Sequence, residues 1–376
     1  MRPTTVCYML TRLEAGGAER QLVLLLAGLD RSRFRPLVVV EKLGGALETA
    51  VRELAIPIHV VGRRVRWDPL FPLRLAGLFR RERVRVTHPF DPMFAFYSVL
   101  AGVLARVPVR LVTWRNRRYP LLHTVLLQLV MPLTSRLVAN SEHAARRIRR
   151  WFPFRSRIIA IPNGLDATVY ARRPDLDKKR HDLGLASDDR PVVGMVAHLW
   201  RQKDHATLFH AVQDLIERWP RLILLLVGDG PERAALEALA ARVLPTGRYR
   251  FLGKRSDTAE LYHLFDVPVL STHYEGMPNV VMEAMAAGRP VVATAVDGCA
   301  ELIEHGVTGL LVPPRDAKAL AEAIGRVLDD ATLAERLGHA GQQHMRKRYS
   351  TERLVERHEL LYEKLLAKTQ AAGEPR

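Results

Sequence analysis

Short apolar runs, each ending at a polar turn, recur along the chain and alternate with stretches of helical spacing. In the first half, residues 6–10, 36–40, 58–61, 84–87, 109–113 and 137–140 read as strands. Helices are predicted over 21–29, 45–54 and 71–81, and Ser141 reads as the N-cap of another. A strand at 158–161 breaks at Pro162-Asn163-Gly164, and residues 171–190 are charged and poorly periodic, as a connection between domains. Strands resume at 192–196, 223–227, 267–271 and 291–294, with another ending near Gly253, and 317–366 is helical in pattern. This alternation predicts an α/β chain of doubly wound parallel sheets.

One segment carries most of the chemistry. Strand 267–271 runs into Glu275-Gly276-Met277-Pro278-Asn279-Val280, where Gly276 and Pro278 make a turn and a helix follows as far as Gly288. In parallel sheets the ligand crevice lies beyond the carboxyl ends of the strands, which is where this turn falls. The first N–H groups of the helix favour a phosphate. Glu283 follows Asn279 by one helical turn, so its two oxygens can accept from the two hydroxyls of a ribose. On spacing alone, an Asn279 that merely caps the helix and a solvated Glu283 are the commoner arrangement.

Composition narrows the classes. The 376 residues are 48% hydrophobic and 26% charged, enough for two cores and unlike a disordered chain. Two distant cysteines, Cys7 and Cys299, exclude a disulfide scaffold and fit a reducing cytoplasm. Of the formal +17, residues 1–165 hold 28 Lys+Arg against 10 Asp+Glu and residues 166–376 hold 29 against 30, so the excess lies wholly in the first half. Such a field attracts phosphates of nucleic acid or of anionic lipid. The apolar stretches 94–104 and 121–133 are too short or interrupted to span a bilayer, and the N-terminus does not read as a signal peptide. Arginines from Arg63 to Arg85, interleaved with Phe71, Leu75, Leu78 and Phe79, make a basic amphipathic segment. It suits either an anionic membrane surface or a helix whose apolar face lies on its own sheet.

Glu275-Gly276-Met277-Pro278-Asn279 with Glu283 closely resembles the paired-glutamate motif of the retaining glycosyltransferases of family four, which have the GT-B architecture. Pro162-Asn163-Gly164-Leu165-Asp166 is similar to the turn that opens that family's second domain, and Gly16-Gly17 in Glu14-Ala15-Gly16-Gly17-Ala18-Glu19-Arg20 to its N-terminal glycine loop. The resemblance implies two Rossmann-like domains facing a central cleft. Residues 1–165 would take the acceptor, 166–345 the nucleotide-sugar, and 346–376 would be a C-terminal helix returning to the first domain. It also implies that Glu283 binds the ribose, that Gly276, Met277, Pro278, Asn279 and Val280 meet the diphosphate and sugar, and that Glu275 lies beside the sugar. Leu252 would stand near the base, and Gly16 and Gly17 would face the donor phosphate.

The segment His198-Leu199-Trp200-Arg201-Gln202-Lys203 is similar to the family's basic phosphate segment, with Arg201 and Lys203 stabilising the leaving diphosphate. His88, at a predicted strand end, offers a general acid/base or sugar contact, or is a structural histidine. Relatives carry a histidine where this chain has Arg115 and Asn116. Asp175 and Asp177 read as a solvated turn rather than a metal site, and no metal or other cofactor is expected. The implied activity is retaining, metal-independent transfer from a UDP-sugar or GDP-sugar to a glycan or lipid-linked acceptor, in cell-surface polysaccharide or glycolipid assembly. The protein is expected in the cytoplasm, peripheral on the membrane, without nucleic-acid partners. The alternatives are an epimerase or sugar phosphorylase on the same scaffold and, in another class, a basic nucleic-acid-binding protein.

Overall fold

The computed structural model describes residues 2–14, 16–65, 68–115, 121–186 and 190–371. They form two compact units, one of Met1–Gly164 with Thr351–Arg376 and one of Leu165–Ser350. The first contains, in chain order, β1 (Thr4–Leu10), α1 (Gly17–Gly28), β2 (Phe34–Val40), α2 (Glu48–Glu53), β3 (Ile58–Val60), α3 (Phe71–Arg81), β4 (Val86–Pro89), α4 (Pro92–Leu104), β5 (Val109–Trp114), α5 (Leu121–Val130), β6 (Arg136–Ala139), α6 (Glu142–Arg149) and β7 (Ile158–Ala160). The second contains α7 (Ala167–Ala171), α8 (Leu176–Asp182), β8 (Val192–Val196), α9 (His205–Arg218), β9 (Ile223–Val227), α10 (Arg233–Val243), β10 (Tyr249–Gly253), α11 (Thr258–Tyr262), β11 (Val267–Leu270), α12 (Asn279–Ala286), β12 (Val292–Thr294), α13 (Asp297–Leu302), β13 (Leu310–Val312), α14 (Ala317–Asp329) and α15 (Ala331–Arg348). The last helix, α16 (Thr351–Ala371), belongs to the first unit.

Each unit has a wholly parallel sheet, in the order β3-β2-β1-β4-β5-β6-β7 in the first and β10-β9-β8-β11-β12-β13 in the second. The strands read as unbroken apolar runs because helices cover both faces. In β1, Val6, Tyr8 and Leu10 join a core with α1 and α16, while Cys7 and Met9 face the core built with α3 and α4. The side chains of α16 in that core include Leu354, Tyr362 and Leu365. A Cβ on Gly28 would stand 2.7 Å from Val355 Cγ2, so α1 and α16 lie in close contact there. Order reverses between β1 and β4 in one sheet and between β8 and β11 in the other, and these reversals mark where a ligand crevice opens.

The structure corrects several expectations. The connection 171–190 holds a helix: Asp175 Oδ1 accepts from Lys178 N–H at 3.0 Å and starts α8, so the Asp175–Asp177 pair is a capped helix start. The helix expected from Gly45 begins only at Glu48, because Gly44 and Gly45 take φ of +94° and +115° and hold the chain out of helical geometry. Phe71, Leu75, Leu78 and Phe79 of α3 are buried on their own sheet, so that apolar face is covered. Several of its basic neighbours are engaged locally: Arg74 pairs with Asp68 at 2.6 Å and Arg63 with Glu41 at 2.8 Å. Arg66 and Trp67 lie outside the described residues. Among the described residues, no helix is long and apolar enough to cross a membrane.

Candidate functional site

In the second unit the site grows from the carboxyl ends of β8 and β11. Beyond β8 the chain makes a 3-10 turn over Arg201–Lys203; beyond β11 it runs through Thr272 and Glu275 into α12. Two hydrogen bonds lock the loops together. His273 N–H donates to Gln202 O at 2.9 Å, and Gln202 Nε2 donates to Tyr274 O at 2.7 Å. The Lys203 ammonium then donates to Glu275 Oε1, with Thr272 Oγ1 3.3 Å from the same oxygen. The two charged side chains retain only 13% and 11% exposure, so their charge-assisted bond lies largely out of water. Arg201 is exposed on the same turn. His205, which opens α9 beside Lys203, is buried, and burial together with the Lys203 charge lowers its pKa to about 4.

Glycines bring these loops close. A Cβ on Gly228, at φ +139°, would fall 1.9 Å from Ala197 O. One on Gly298 would fall 2.2 Å from Gly276 O, so the start of α13 is packed directly beneath the Gly276 turn. Cys299 lies there too, its thiol pushed well up by burial and then by the Glu275 carboxylate.

Pro278 holds the capping position of α12, without a capping side chain, and Asn279 is the first helical residue. Pro278 thus gives the first turn no side-chain cap, and Val281 N–H donates to Pro278 O at 3.2 Å. The other end closes with Gly288 at φ +72°: Gly288 N–H donates to Met285 O at 2.9 Å and Arg289 N–H to Ala284 O at 3.1 Å. Glu283 is buried, not solvated, and its Oε2 accepts from Tyr262 OH at 3.0 Å. Met277, expected to meet the donor, has its side chain in the core and can offer only backbone, while Val280 packs partly against that core. Leu252, also partly buried, precedes Gly253, whose carbonyl accepts from Gly228 N–H at 2.8 Å.

In the first unit the ends of β1, β4 and β5 meet the start of α1. Gly16 caps α1 and Gly17 begins it. The nearest atom to a Cβ on Gly16 is Glu19 Oε2, at 2.2 Å. Glu19 has a raised pKa, mainly from burial, opposed first by its own backbone N–H and then by Arg115, with Asp91 adding to the rise. Asp91 accepts from Thr11 Oγ1, and Arg115 Nη1 donates to Asn163 Oδ1 at 3.0 Å while its guanidinium lies 4.4 Å from the Phe90 ring centre. Glu19 and Asp91 are polar groups of this strand-end cluster that sequence reasoning missed; their one signal is acidity in a basic half. Asn116 lies outside the described residues.

His88 is not at a loop tip. It is an interior residue of β4, fully buried, with Nδ1 2.8 Å from Tyr362 OH of α16. Burial, with His358 and Arg115 nearby, holds its pKa well below the usual value. Its burial in the sheet matches a structural histidine. Among the described residues, no cluster of three or more His, Cys, Asp or Glu is arranged to hold a metal ion.

Two parallel-sheet units, each with polar groups at a sheet-order reversal, place candidate ligand crevices at the strand ends. The family model for glycosyltransferase family 4 matches residues 15–169, and that for glycosyl transferases group 1 matches residues 190–330. The chain belongs to this family and is a glycosyltransferase of GT-B fold. It is similar to the lipopolysaccharide core biosynthesis glycosyltransferase LpsE of Rhizobium meliloti, 29% identical over 76% of this chain and 78% of that one. The capsular polysaccharide biosynthesis glycosyltransferase CapM of Staphylococcus aureus is 25% identical over 79% of this chain and 81% of its own. The structure of HepE from Anabaena in complex with UDP-glucose aligns with a TM-score of 0.82 at 24% identity, covering 95% of this chain and 99% of that one.

Proposed function

We propose that this glycosyltransferase moves a sugar from a UDP-sugar to a glycan or lipid-linked acceptor with retention of anomeric configuration and without a metal ion, in cell-surface polysaccharide or lipopolysaccharide assembly. The observation that carries this reading is the Lys203–Glu275 contact beside the start of α12, with Glu283 buried one turn further along. The diphosphate is taken by Lys203, Arg201 and the first N–H groups of α12, which supply the positive charge that a metal provides elsewhere. Glu283 takes the ribose hydroxyls, with Tyr262 orienting it. As UDP departs, the sugar gains positive charge, and the Glu275 carboxylate offsets it. Glu275 acts as an orienting and electrostatic group, with Lys203 and Thr272 holding its Oε1.

A UDP donor is preferred because a structural neighbour is described in complex with UDP-glucose, and surface-glycan assembly because LpsE and CapM bear such names. The acceptor falls to the basic first unit, at the cluster of Glu19, Asp91 and Arg115. Its charge suits a cytoplasmic protein that works against an anionic membrane surface. The test is to incubate the protein with α-linked UDP-hexoses and a lipid-linked oligosaccharide in EDTA, and to read the new anomeric proton by NMR. An α-linked product is expected. A β-linked product refutes retention, dependence on added Mg²⁺ refutes metal independence, and turnover of the donor without an acceptor points to an epimerase or phosphorylase.

A further inference from the structure

The parallel sheet of the second unit has a cavity at its other end. Pro191, Asp266 and Pro290 stand one or two residues before β8, β11 and β12, so the cavity they line opens at the amino ends of those strands. The carboxyl ends of β8 and β11, on the opposite edge, carry the Lys203–Glu275 site. The cavity measures about 490 Å³, within the range of about 300–1,000 Å³ usual for small-molecule sites. Trp219, Pro290, Val327, Leu328 and Ala334 form its apolar wall, the last three from α14 and α15.

Its polar wall is dominated by guanidinium groups. Arg289 follows Gly288, where α12 stops, and is half-buried, with Nη2 donating to the His263 carbonyl. Arg190 lines the same cavity and is exposed. Burial lowers the pKa of Arg289; Asp266 opposes this, and the like charges of Arg173 and Arg190 add to it. Asp266 does not settle the balance, because its Oδ2 already accepts from Val192 N–H at 2.7 Å, and among the described residues Arg289 forms no ion pair. The remaining carboxylate on the wall, Glu335, is exposed. Guanidiniums crowded against a partly dry wall repel one another, and an anion placed among them relieves that repulsion.

Planar forks suit a phosphate or a carboxylate, and several of them together favour the doubly charged group. The indole sets the rest of the ligand. Arg218, paired with Asp329 at 2.6 Å, lies 4.6 Å from the Trp219 ring centre, and a Cβ on Gly325 would stand 3.6 Å from Cη2, so the ring is held from the protein side. A bare phosphate would fill a small part of the cavity and leave this apolar wall wet. A ligand that fits both walls carries a ring with an apolar face.

We propose that this cavity is a second ligand site, taking a small phosphate monoester whose phosphate meets Arg289 and Arg190 and whose ring packs on Trp219 and the wall of α14 and α15. A sugar phosphate and an aryl phosphate share that chemistry. The site is independent of the donor reading, since none of its residues belongs to the Lys203–Glu275 crevice.

The test is calorimetric titration of the full chain with glucose 6-phosphate, phenyl phosphate and inorganic phosphate, with excess UDP and without it. At least one ester should bind a single saturable site about tenfold or more tightly than inorganic phosphate, the gain expected from covering a ring, and UDP should leave that affinity unchanged. The tighter ester says whether the ring is a sugar or an aryl group. Arg190→Glu should weaken the ester about tenfold or more. Arg190 is exposed, so circular dichroism and melting of that variant should match wild type. Trp219→Leu should weaken the ester and leave inorganic phosphate unchanged. Glu283→Gln should bind the ester like wild type, which separates failure of this inference from failure of the donor reading. The proposal is overturned if neither ester binds, if inorganic phosphate binds as well as both, or if Arg190→Glu binds like wild type. Displacement of the ester by UDP overturns it too, because the ester would then lie in the donor crevice.

Discussion

Replacing Glu283 by glutamine tests the donor site at its most defined point. The carboxylate is buried and already accepts one hydrogen bond, from Tyr262 OH at 3.0 Å, in a pocket where Tyr262 packs edge-on against Phe265 at 5.8 Å. Glutamine keeps the volume and one acceptor oxygen, so Tyr262 can stay satisfied and folding should change by less than about 1 kcal/mol. Alanine would instead strand a buried phenol at a cost of about 1–3 kcal/mol and confuse binding with folding. The amide loses the charge and turns one acceptor into a donor. A hydrogen bond to a charged group is worth about 1.5–3 kcal/mol, so the Kd for UDP should rise by about 10- to 150-fold. Calorimetric titration reads this directly, and 2′-deoxy-UDP sharpens it. If the carboxylate holds the ribose, wild type should lose affinity for the deoxy nucleotide and the variant should scarcely discriminate. An unchanged Kd, or equal discrimination by both proteins, refutes the assignment.

The Lys203–Glu275 bond gives a second prediction. Lys203→Met or Glu275→Gln should each cost about 2 kcal/mol of stability by stranding a largely buried charge, and the double variant should cost less than their sum. Turnover should fall about 100-fold or more in all three and should not recover in the double variant; recovery would make the pair structural only. A third concerns acid. His205 drops from the ordinary 6.5 to about 4, and His358 does the same through burial. A folded value below the unfolded one means that the unfolded chain takes up protons first, so stability falls as pH drops from about 6.5 towards 4. Each histidine contributes about 2 kcal/mol of loss by pH 5. His205→Gln should melt with a correspondingly shallower decline between pH 7 and 5, and parallel profiles would refute the assignment.

What was legible in the sequence follows from how parallel sheets are built. Residues 6–10 and 223–227 announce themselves because strands covered on both faces need an apolar side chain at every position. The turn from Glu275 to Val280 was readable because turn chemistry is local, whereas spacing favoured a solvated Glu283 and the family resemblance, not period, pointed to its role. Other features depended on distant partners. His88 is buried by Tyr362, 274 residues away, and no local pattern announces that contact. Period placed Phe71, Leu75, Leu78 and Phe79 of α3 on one face but could not say whether sheet or lipid covers it. In α5, likewise, an apolar stretch divides in the fold: Leu127 is buried while Leu121, Leu122 and Leu129 stand in solvent. Met277 sits inside a donor motif, yet its side chain turns to the core while only its backbone stays with the turn.

The division of charge bears on function independently of any single residue. The second unit is nearly neutral overall, yet it concentrates Lys203, Arg201 and a helix start at one strand-end reversal. A diphosphate needs no more than that, because a few fixed cations in a dry pocket outweigh a diffuse field screened within about 10 Å. The excess carried by residues 1–165 is therefore not explained by the donor. It lies on a unit where many guanidiniums are exposed. A free anionic metabolite would require a few converging cations. A partner whose phosphates are spread over a surface would use such a broad field where a single diphosphate would not.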